Sequence, residues 1–251
     1  MFNARKVKDD LVHWIRDWFN ENGPDCNCVC GISGGKDSTI VAALCVEALG
    51  ADRVIGVLLP NKLQCDINVS YNVIKHLGIR SLELDIWTSY SDLTDRIVKA
   101  AYDNRKDFPD FSVSNQTRVN LSPRLRMSVL YAIAQSVNGR VSNNSNLSER
   151  YIGYSTRWGD SVGDFAPLAN LTVSEVKAIG YELGLPDEFI EKIPSDGVCG
   201  KTDEDNLGFS YDILDHYIRT GICEDREARE RIDSLHNKNI FKLEPIPTFE
   251  W

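Results

Sequence analysis

The sequence predicts an α/β fold in which a parallel β-sheet is flanked by helices. Two apolar runs, at residues 28–32 and 53–59, are short and are bounded by turn residues, as expected of strands that are buried on both faces. Segments with helical spacing of apolar residues lie before, between and after these runs. Strands that alternate with helices are typical of parallel sheets, because parallel strands need crossover connections.

Each element also has local signals. Apolar residues recur at helical spacing over residues 4–21, and Gly23-Pro24 ends that helix. Ser122-Pro123 predicts the first turn of a later helix, and Thr172 with Glu175 forms a capping box at another. The predicted strands are 28–32, 53–59, 81–86 and 141–142, and the predicted helices are 4–21, 37–49, 66–77, 122–137, 172–183, 211–219 and 224–235. Residues 103–120 and 194–210 are predicted loops.

The most informative segment is the glycine-rich turn after the first strand. Residues 31–38 read Gly-Ile-Ser-Gly-Gly-Lys-Asp-Ser. The backbone amides of such a turn, at the start of a helix, form a pocket for an anion. The carboxylate of Asp37 would repel a bare phosphate, so it indicates a metal ion between the two groups. The turn therefore predicts a polyphosphate bound with Mg²⁺, and a purely structural serine-rich turn is the alternative.

This turn is not a Walker A motif, because Cys30 stands where that motif needs its first glycine and Asp37 follows Lys36. The string Ser-Gly-Gly-x-Asp-Ser instead resembles the pyrophosphate loop of the N-type ATP pyrophosphatases. The resemblance implies cleavage of ATP between its α and β phosphates and an adenylated intermediate. Within the loop, Lys36 is expected to face solvent.

Composition argues against several classes of protein. The chain has 251 residues, of which 42% are hydrophobic, enough for a sizeable core. It has no apolar run near the ~18 residues of a membrane span, and its N-terminus lacks the apolar centre of a signal peptide. We therefore expect a cytoplasmic protein. The net charge of −9 argues against a nucleic-acid partner, although a local basic patch would still allow one.

The cysteines raise the question of a metal site. Seven cysteines in a chain without an export signal are not expected to form disulfides. Cys26, Cys28 and Cys30 alternate along the first strand, where three ligands have little room to converge on one ion. We expect them to be small buried hydrophobic residues. The other four cysteines show no ligand spacing.

Two polar strings in the second half could carry chemistry. The first has two arginines two positions apart, which leave a helix on different sides, so only one could easily serve a ligand. The second has three carboxylates around an arginine, and these could hold a metal or bind hydroxyl groups. A structural network of turns is the alternative. The residues in question are Arg124, Arg126, Glu149, Arg157, Asp160 and Asp164.

Taken together, the motifs resemble those of the ammonia-dependent NAD synthetases. The resemblance runs from about residue 1 to Phe249, and four motifs match in order and spacing: Ser33–Ser38, Asn120–Met127, Glu149 and Tyr154–Asp164. It implies a Rossmann-like sheet flanked by helices, of the adenine-nucleotide alpha-hydrolase type, in one domain over residues 1–251. A glutaminase domain is not expected, since it would need roughly 200 further residues.

The resemblance also implies a reaction, the amidation of nicotinate adenine dinucleotide with ammonia and ATP. The pyridine carboxylate would attack the α-phosphate, pyrophosphate would leave, and ammonia would then displace AMP to give NAD⁺. Adenylation makes the second step easier because AMP is a better leaving group than oxide. Mg²⁺ is the implied cofactor, and a homodimer with the dinucleotide site at its interface is the implied assembly.

Roles for individual residues follow from the same resemblance. Asp37 and Glu149 are the expected Mg²⁺ ligands and the expected catalytic residues. The residues expected at ATP are Gly31, Ser33, Gly34, Gly35, Lys36, Asp37, Ser38, Asn144 and Ser195. Those expected at the dinucleotide are Asn120, Arg124, Tyr131, Arg157, Asp160, Asp164 and Lys242.

The chain departs from the family pattern at several positions. Asn144 stands for a threonine, Arg157 for a lysine, Val173 for another lysine, and Phe241 for a histidine. The phosphate contact of the lysine replaced by Val173 is then either missing or supplied from elsewhere, such as by Lys177 or Lys201. These changes affect the expected ATP contacts more than the expected reaction.

Two rival functions stay open. Another enzyme with a pyrophosphatase loop, such as a tRNA thiolase or a lysidine-type ligase, would favour a basic face, and a thiolase would need reactive cysteines. The acidic composition and the lack of a C-x-x-C pair argue against it. A nucleotide-binding regulator without catalysis is the second rival, and the presence of both Asp37 and Glu149 argues against that.

Overall fold

The computed structural model describes residues 2–62, 64, 66–192 and 202–250. Its centre is a four-stranded sheet in the order β3-β2-β1-β4, and every neighbouring pair of strands is parallel. The strands are β1 (Asn27–Gly31), β2 (Val54–Leu58), β3 (Arg80–Glu83) and β4 (Gly139–Val141). The predicted α/β class and parallel sheet are confirmed.

Helices surround this sheet. In chain order they are α1 (Ala4–Asn22), α2 (Lys36–Leu49), α3 (Ile67–Leu77), α4 (Trp87–Asp103), α5 (Asn115–Ser136), α6 (Leu147–Ile152), α7 (Val173–Glu182), α8 (Asp187–Ile190), α9 (Asp203–Leu207), α10 (Tyr211–Thr220) and α11 (Arg226–Asn239). Within the described ranges, each helix is too short or too polar to cross a lipid bilayer.

The side chains of the central strand β1 pack into two core clusters, one on each face of the sheet. Cys28 and Cys30 are fully buried in a core cluster with side chains of α1, α2 and α7. Val29 points to the opposite face and packs in a second cluster with α5, because neighbouring residues of a strand alternate between its faces. A third cluster joins α6, α9, α10 and α11 beside the sheet. The sheet is therefore covered on both faces along β1 and β2.

The order of the strands fixes where a ligand can bind. The chain runs outward from β1 to β3 and then returns to place β4 on the other side of β1. Ligands of open α/β sheets bind outside the carboxyl ends of the strands at such a reversal. The glycine-rich turn follows β1, and residues 142–146 follow β4, so both segments lie at this point.

Besides the helix α4, which was not predicted, the main difference from the sequence prediction concerns the start of α5. This helix begins at Asn115, and the hydroxyl of Ser114 accepts from the amide of Thr117 as its N-cap. The predicted start at Ser122-Pro123 is therefore wrong, and Pro123 lies inside the helix. The first turns of α5 are polar and exposed, so no apolar periodicity marks them. The predicted loop 103–120 shortens to the segment between α4 and α5.

Smaller corrections concern element ends. The third and fourth strands are Arg80–Glu83 and Gly139–Val141, rather than 81–86 and 141–142. Part of the predicted loop 194–210 is the helix α9. Thr202 and Asp205 form a capping box at its N-terminus. The capping box of Thr172 and Glu175 at α7 is confirmed. Residues 193–201, which include Ser195 and Lys201, lie outside the described residues.

Candidate active site

The turn after β1 has a backbone shape that only glycine allows. Gly34 has φ of +76°, and a Cβ there would lie 3.0 Å from Ser70 Oγ and 3.1 Å from Ser70 N. Gly35 is the N-cap of α2, and its amide donates to Ser33 Oγ. The hydroxyl oxygens of Ser33 and Ser38 lie 3.1 Å apart. Hydroxyl groups thus lie together at the N-terminus of a helix, where an anion is stabilised.

Lys36 is buried, so the prediction that it faces solvent is wrong. Its side chain is 2% exposed, and Nζ donates to Asp37 Oδ2 at 2.9 Å. Nζ also lies over the ring of Tyr211, 5.8 Å from the centroid. Burial alone would lower the pKa of Lys36, but neighbouring carboxylates, first that of Asp37, outweigh this and raise the pKa. Lys36 is therefore a charged ammonium inside the candidate site.

Asn146 joins the two predicted metal ligands. Its Nδ2 donates to Asp37 Oδ1 at 3.1 Å, and its Oδ1 accepts from the amide of Glu149 at 3.0 Å. Asn146 is completely buried and is the N-cap of α6. One side chain thereby connects the segment after β1 with the segment after β4. The sequence prediction missed Asn146, although Asn three residues before Glu is a recognisable N-cap pattern.

The carboxyl group of Glu149 lies in an acidic environment. Burial raises the pKa of Glu149 to about 8, Asp37 raises it in the same direction, and Lys36 lowers it. The hydroxyl oxygen of Tyr211 is buried in the same region and has no hydrogen-bond partner among the described residues. Oxygen donors with excess negative charge are the ligands that Mg²⁺ prefers. The donor set of Asp37 and Glu149 therefore fits a divalent cation.

A second group of predicted site residues lies between α5 and the segment 154–164. Asn120 Oδ1 accepts from Thr156 Oγ1 at 2.8 Å, and Arg124 Nε donates to the carbonyl of Arg157 at 3.2 Å. Asp160 Oδ1 accepts from the amide of Thr156 at 2.8 Å. The structure thus brings the predicted residues of α5 next to those of the later polar string.

Tyr131 and Asp164 also belong to this group and lie next to the end of β4. Tyr131 Oη donates to Asp164 Oδ1 at 3.3 Å, while Asp164 Oδ2 accepts from the amide of Val141 at 2.7 Å. Burial and the nearby carboxylate raise the pKa of Tyr131 to about 12, so its hydroxyl stays a hydrogen-bond donor at neutral pH. Asp164 is fixed at the carboxyl end of β4, close to the strand reversal.

Arg157 lies between two aromatic rings. Its guanidinium carbon is 5.0 Å from the ring centroid of Trp158 and 5.4 Å from that of Phe241. Its Nε is buried and has no hydrogen-bond partner among the residues that the structure describes. Trp158 is 52% exposed and has φ of +64°. A cation that is held by stacking and keeps an unpaired donor is suited to bind an anionic or planar ligand group.

Two side chains that were predicted to contact ligands donate to backbone carbonyls of the protein in this structure. Lys242 Nζ donates to the carbonyl oxygens of Gly153 and Ser155 at 2.8 and 3.1 Å. Asn144 Nδ2 donates to the carbonyl of Gly31 at 3.0 Å. Both side chains lie beside the candidate site and hold its backbone in place, and their predicted contacts with ligands stay predictions.

Comparison with known proteins identifies the family. The family model for NAD synthase matches residues 7–246. The chain belongs to the NAD synthase family. An NH3-dependent NAD⁺ synthetase of Methanococcus aeolicus is 37% identical over 217 residues, covering 86% of this chain and 82% of the relative. A second one, of Finegoldia magna, is 33% identical over 251 residues, covering 99% and 98%.

A solved structure agrees with this assignment. The structure of an NMN synthetase from Francisella tularensis superposes with a TM-score of 0.86 at 31% identity, and the match covers 100% of both chains. The predicted family, fold type and enzyme class are confirmed. Membership of the NAD synthase family makes the protein a ligase of NAD biosynthesis with ATP as co-substrate.

The raised pKa of Glu149 gives the protein a testable dependence of stability on pH. A folded-state pKa of about 8 lies above the ordinary 4.5. Between these two pH values, the folded state therefore holds a proton on Glu149 that the unfolded state has lost. This contribution to stability is fully present below about pH 4.5 and is lost as the pH rises through about 8. A Gln side chain at position 149 does not titrate, so a Gln variant would not lose this stability as the pH rises.

We therefore expect Glu149→Gln to stabilise the metal-free protein relative to wild type more at pH 8 than at pH 5. The expected difference is on the order of 2 kcal/mol, after a reduction for partial exposure of the side chain. Urea unfolding in EDTA at both pH values measures it. The same effect of the substitution at both pH values would show that the pKa of Glu149 is not raised.

Proposed function

We propose that the protein converts nicotinate adenine dinucleotide to NAD⁺ with ammonia and ATP, through an adenylate, with release of pyrophosphate and AMP. The observation that carries this proposal is that the glycine-rich turn and the carboxylates of Asp37 and Glu149 lie together: Asp37 is close enough to raise the pKa of Glu149, and Asn146 links the Asp37 carboxylate to the backbone amide of Glu149. This arrangement suits attack on the α-phosphate of a metal-bound nucleotide. The NH3-dependent NAD⁺ synthetases that the chain resembles support the choice of substrates.

The residues around the turn have distinct parts in the proposed mechanism. The backbone amide of Gly34 and the hydroxyls of Ser33 and Ser38 bind the β- and γ-phosphates, and the amide of Gly35 joins them if it leaves Ser33 Oγ. Asp37 and Glu149 would hold Mg²⁺, which neutralises the charge of the departing pyrophosphate. Lys36 adds a fixed positive charge beside Asp37 at 2.9 Å, and this charge also favours the triphosphate.

The acid substrate is placed by the second group of residues. Its carboxylate must reach the α-phosphate, so its nicotinate ring belongs between the turn and the segment 154–164. Arg157 offers its unpaired Nε to an anionic group of the substrate, and Tyr131 and Asp164 offer polar contacts. After AMP transfer, ammonia attacks the activated carbonyl carbon, and AMP takes the electron pair of the broken C–O bond.

A second candidate substrate is nicotinate mononucleotide. The close structural match to a protein described as an NMN synthetase, at 31% identity, favours this possibility. Both candidates share the same carboxylate chemistry and differ only in the adenylate half of the acid. The exposed surface of Trp158 beside Arg157 is suited to stack on an adenine ring, which only the dinucleotide has.

The test is an assay with each acid in turn, in the presence of ATP, Mg²⁺ and ammonium and without glutamine. We expect NAD⁺, AMP and pyrophosphate in equal amounts, and a higher kcat/KM for the dinucleotide. A higher kcat/KM for the mononucleotide would favour the second candidate. No amide product from either acid would contradict the proposed function, and activity only with added tRNA would favour the rival pyrophosphatase-loop enzymes.

We also propose that the protein is a homodimer. The edge strand β3 is exposed along its whole length, and in α4 only Thr94 is buried. Several large apolar side chains are exposed on this side of the molecule: Leu82, Leu84, Trp87, Leu93, Val98, Tyr102 and Val119. Exposed apolar side chains on neighbouring elements and an unpaired strand edge indicate a contact with another chain, and a second copy related by two-fold symmetry is the simplest partner.

Introduction of a charge on this apolar surface should separate the subunits. Val98→Glu is expected to convert a dimer to a monomer in analytical ultracentrifugation, because a carboxylate would be buried without a partner. Ile222→Glu is the matched control, since Ile222 is also exposed but lies between α10 and α11. A wild-type protein that sediments as a monomer would contradict the proposal. The cytoplasmic location and the lack of a nucleic-acid partner stay predictions.

A further inference from the structure

Three thiols meet in the core below the phosphate turn. Cys28 and Cys30 come from β1, and Cys45 comes from α2. Their Sγ atoms all lie within 4.8 Å of one another, and those of Cys28 and Cys30 are 3.3 Å apart. All three side chains are fully buried. Cys45 has no ligand spacing to the other cysteines along the sequence, and it is the packing of α2 against β1 that places its thiol beside the other two.

Cys26 does not belong to this group. Although it continues the alternation of β1, its Sγ donates to Asn138 Oδ1 at 3.4 Å. The C-x-C-x-C string therefore supplies only two of the three thiols, and the helix supplies the third. This difference makes Cys26 a matched control, because it is also buried and lies next to the same strand.

The geometry of the three sulfur atoms suits one ion. Thiolate sulfur binds a d¹⁰ ion such as Zn²⁺ at about 2.3 Å, so two sulfur atoms on one ion lie up to ~4.6 Å apart. Three sulfur atoms spread evenly around one ion at this bond length lie about 4.0 Å apart, a separation between the 3.3 Å of Cys28 and Cys30 and the 4.8 Å limit for the group. Among the described residues, no histidine or carboxylate joins the group. The group thus offers three ligands, one fewer than the closed four-coordinate sites of structural zinc.

We propose that Cys28, Cys30 and Cys45 form a binding site for one soft, thiophilic metal ion held by three sulfur ligands. Soft sulfur ligands select soft ions over Mg²⁺, so this site and the carboxylate site would not compete for the same metal. Binding forms three metal–sulfur bonds, and the three thiol protons are released to solvent. No change in oxidation state is involved.

The place of the site in the fold gives such an ion a structural consequence. Cys30 directly precedes Gly31, the last residue of β1, and Cys45 lies in the helix that begins at Lys36. The ion would therefore crosslink the two elements that hold the phosphate turn between them. Because the thiols are buried, the ion enters only when this part of the core opens transiently, so binding is slow.

Cd²⁺ is the probe for a direct test. Reduced, metal-free protein is incubated with Cd²⁺ until the signal is constant, and sulfur-to-cadmium charge-transfer absorbance is measured for wild type, Cys45→Ala, Cys28→Ala and Cys26→Ala. Cys65, Cys199 and Cys223 are present in all four proteins, so their contribution cancels. We expect one equivalent of tightly bound Cd²⁺ in wild type and Cys26→Ala, and at least a tenfold loss of affinity in the other two.

Each remaining outcome would overturn the proposal. These outcomes are no charge-transfer band in folded wild type, full binding by Cys45→Ala, or an equal loss in Cys26→Ala. If Cys45→Ala does not fold, as judged by circular dichroism, Cys45→Ser replaces it, because serine keeps the volume but is a hard ligand. Full Cd²⁺ affinity in folded Cys45→Ser would equally exclude a site with three sulfur ligands.

Discussion

Asp37→Ala is expected to lower kcat for NAD⁺ formation by about 10³-fold or more, since it would remove a proposed metal ligand next to the transferred phosphate. The carboxylate of Asp37 accepts from Lys36 Nζ and from Asn146 Nδ2. Its loss also leaves the buried ammonium of Lys36 without its nearest counter-charge. The charge arrangement around the phosphates would then change as well as the metal affinity.

Asp37→Asn separates these effects. Its side-chain oxygen can still accept from Asn146, but it has no negative charge for the metal or for Lys36. We expect it to lose nearly as much activity as Asp37→Ala while it unfolds at a higher denaturant concentration. Asp10→Ala is the control, because Asp10 is an exposed carboxylate with a lysine partner, and it should retain full activity. Steady-state kinetics at saturating ATP and ammonium measures the effect.

Gly34→Ala is expected to raise the KM for ATP by about 100-fold or to abolish activity. A Cβ at position 34 would approach Ser70 N to 3.1 Å and Val69 Cβ to 3.2 Å, in a backbone conformation that side chains rarely adopt. The turn and the start of α3 cannot both keep their positions. Displacement of the turn by about 1 Å is enough to misplace the phosphates.

Gly50→Ala distinguishes backbone strain from the loss of the site. Gly50 also has a positive φ, +88°, but nothing lies within 4 Å of a Cβ there. Both substitutions therefore carry a backbone penalty of about 1 kcal/mol or more, and only Gly34→Ala creates a steric conflict in the turn. We expect Gly50→Ala to lower the midpoint of unfolding with the KM for ATP unchanged. Equal effects of both on KM would contradict the phosphate-binding role of Gly34.

Local signals predicted the elements that frame the candidate site. The turn at residues 33–38 and the capping box at Thr172 each depend on residues close together in sequence, and the structure has both. The two arginines of α5 also diverge as predicted, since Arg124 contacts the carbonyl of Arg157 while Arg126 Nε donates to the carbonyl of Leu59. These features follow from backbone geometry over a few residues, which a single sequence contains.

Contacts between distant segments could not be predicted in the same way. Lys36 was expected in solvent because a lysine usually keeps its ammonium in water. Besides the adjacent Asp37, the acidic groups that stabilise it, Glu149 and Asp203, lie more than a hundred residues away along the chain. The thiol of Cys45 meets β1 only through the packing of α2. Asn146 joins Asp37 to the amide of Glu149 across the sheet reversal. Its N-cap contact with Glu149 is local, but its contact with Asp37 cannot be inferred from spacing alone.

The central claim is that Asp37 and Glu149 together hold the metal ion of the nucleotide. A crystal structure of the protein with ATP and Mg²⁺ tests it most directly. We predict one ion at about 2.1 Å from a carboxylate oxygen of each residue and from oxygens of the triphosphate. An ion that contacts the triphosphate but neither Asp37 nor Glu149 would contradict the account.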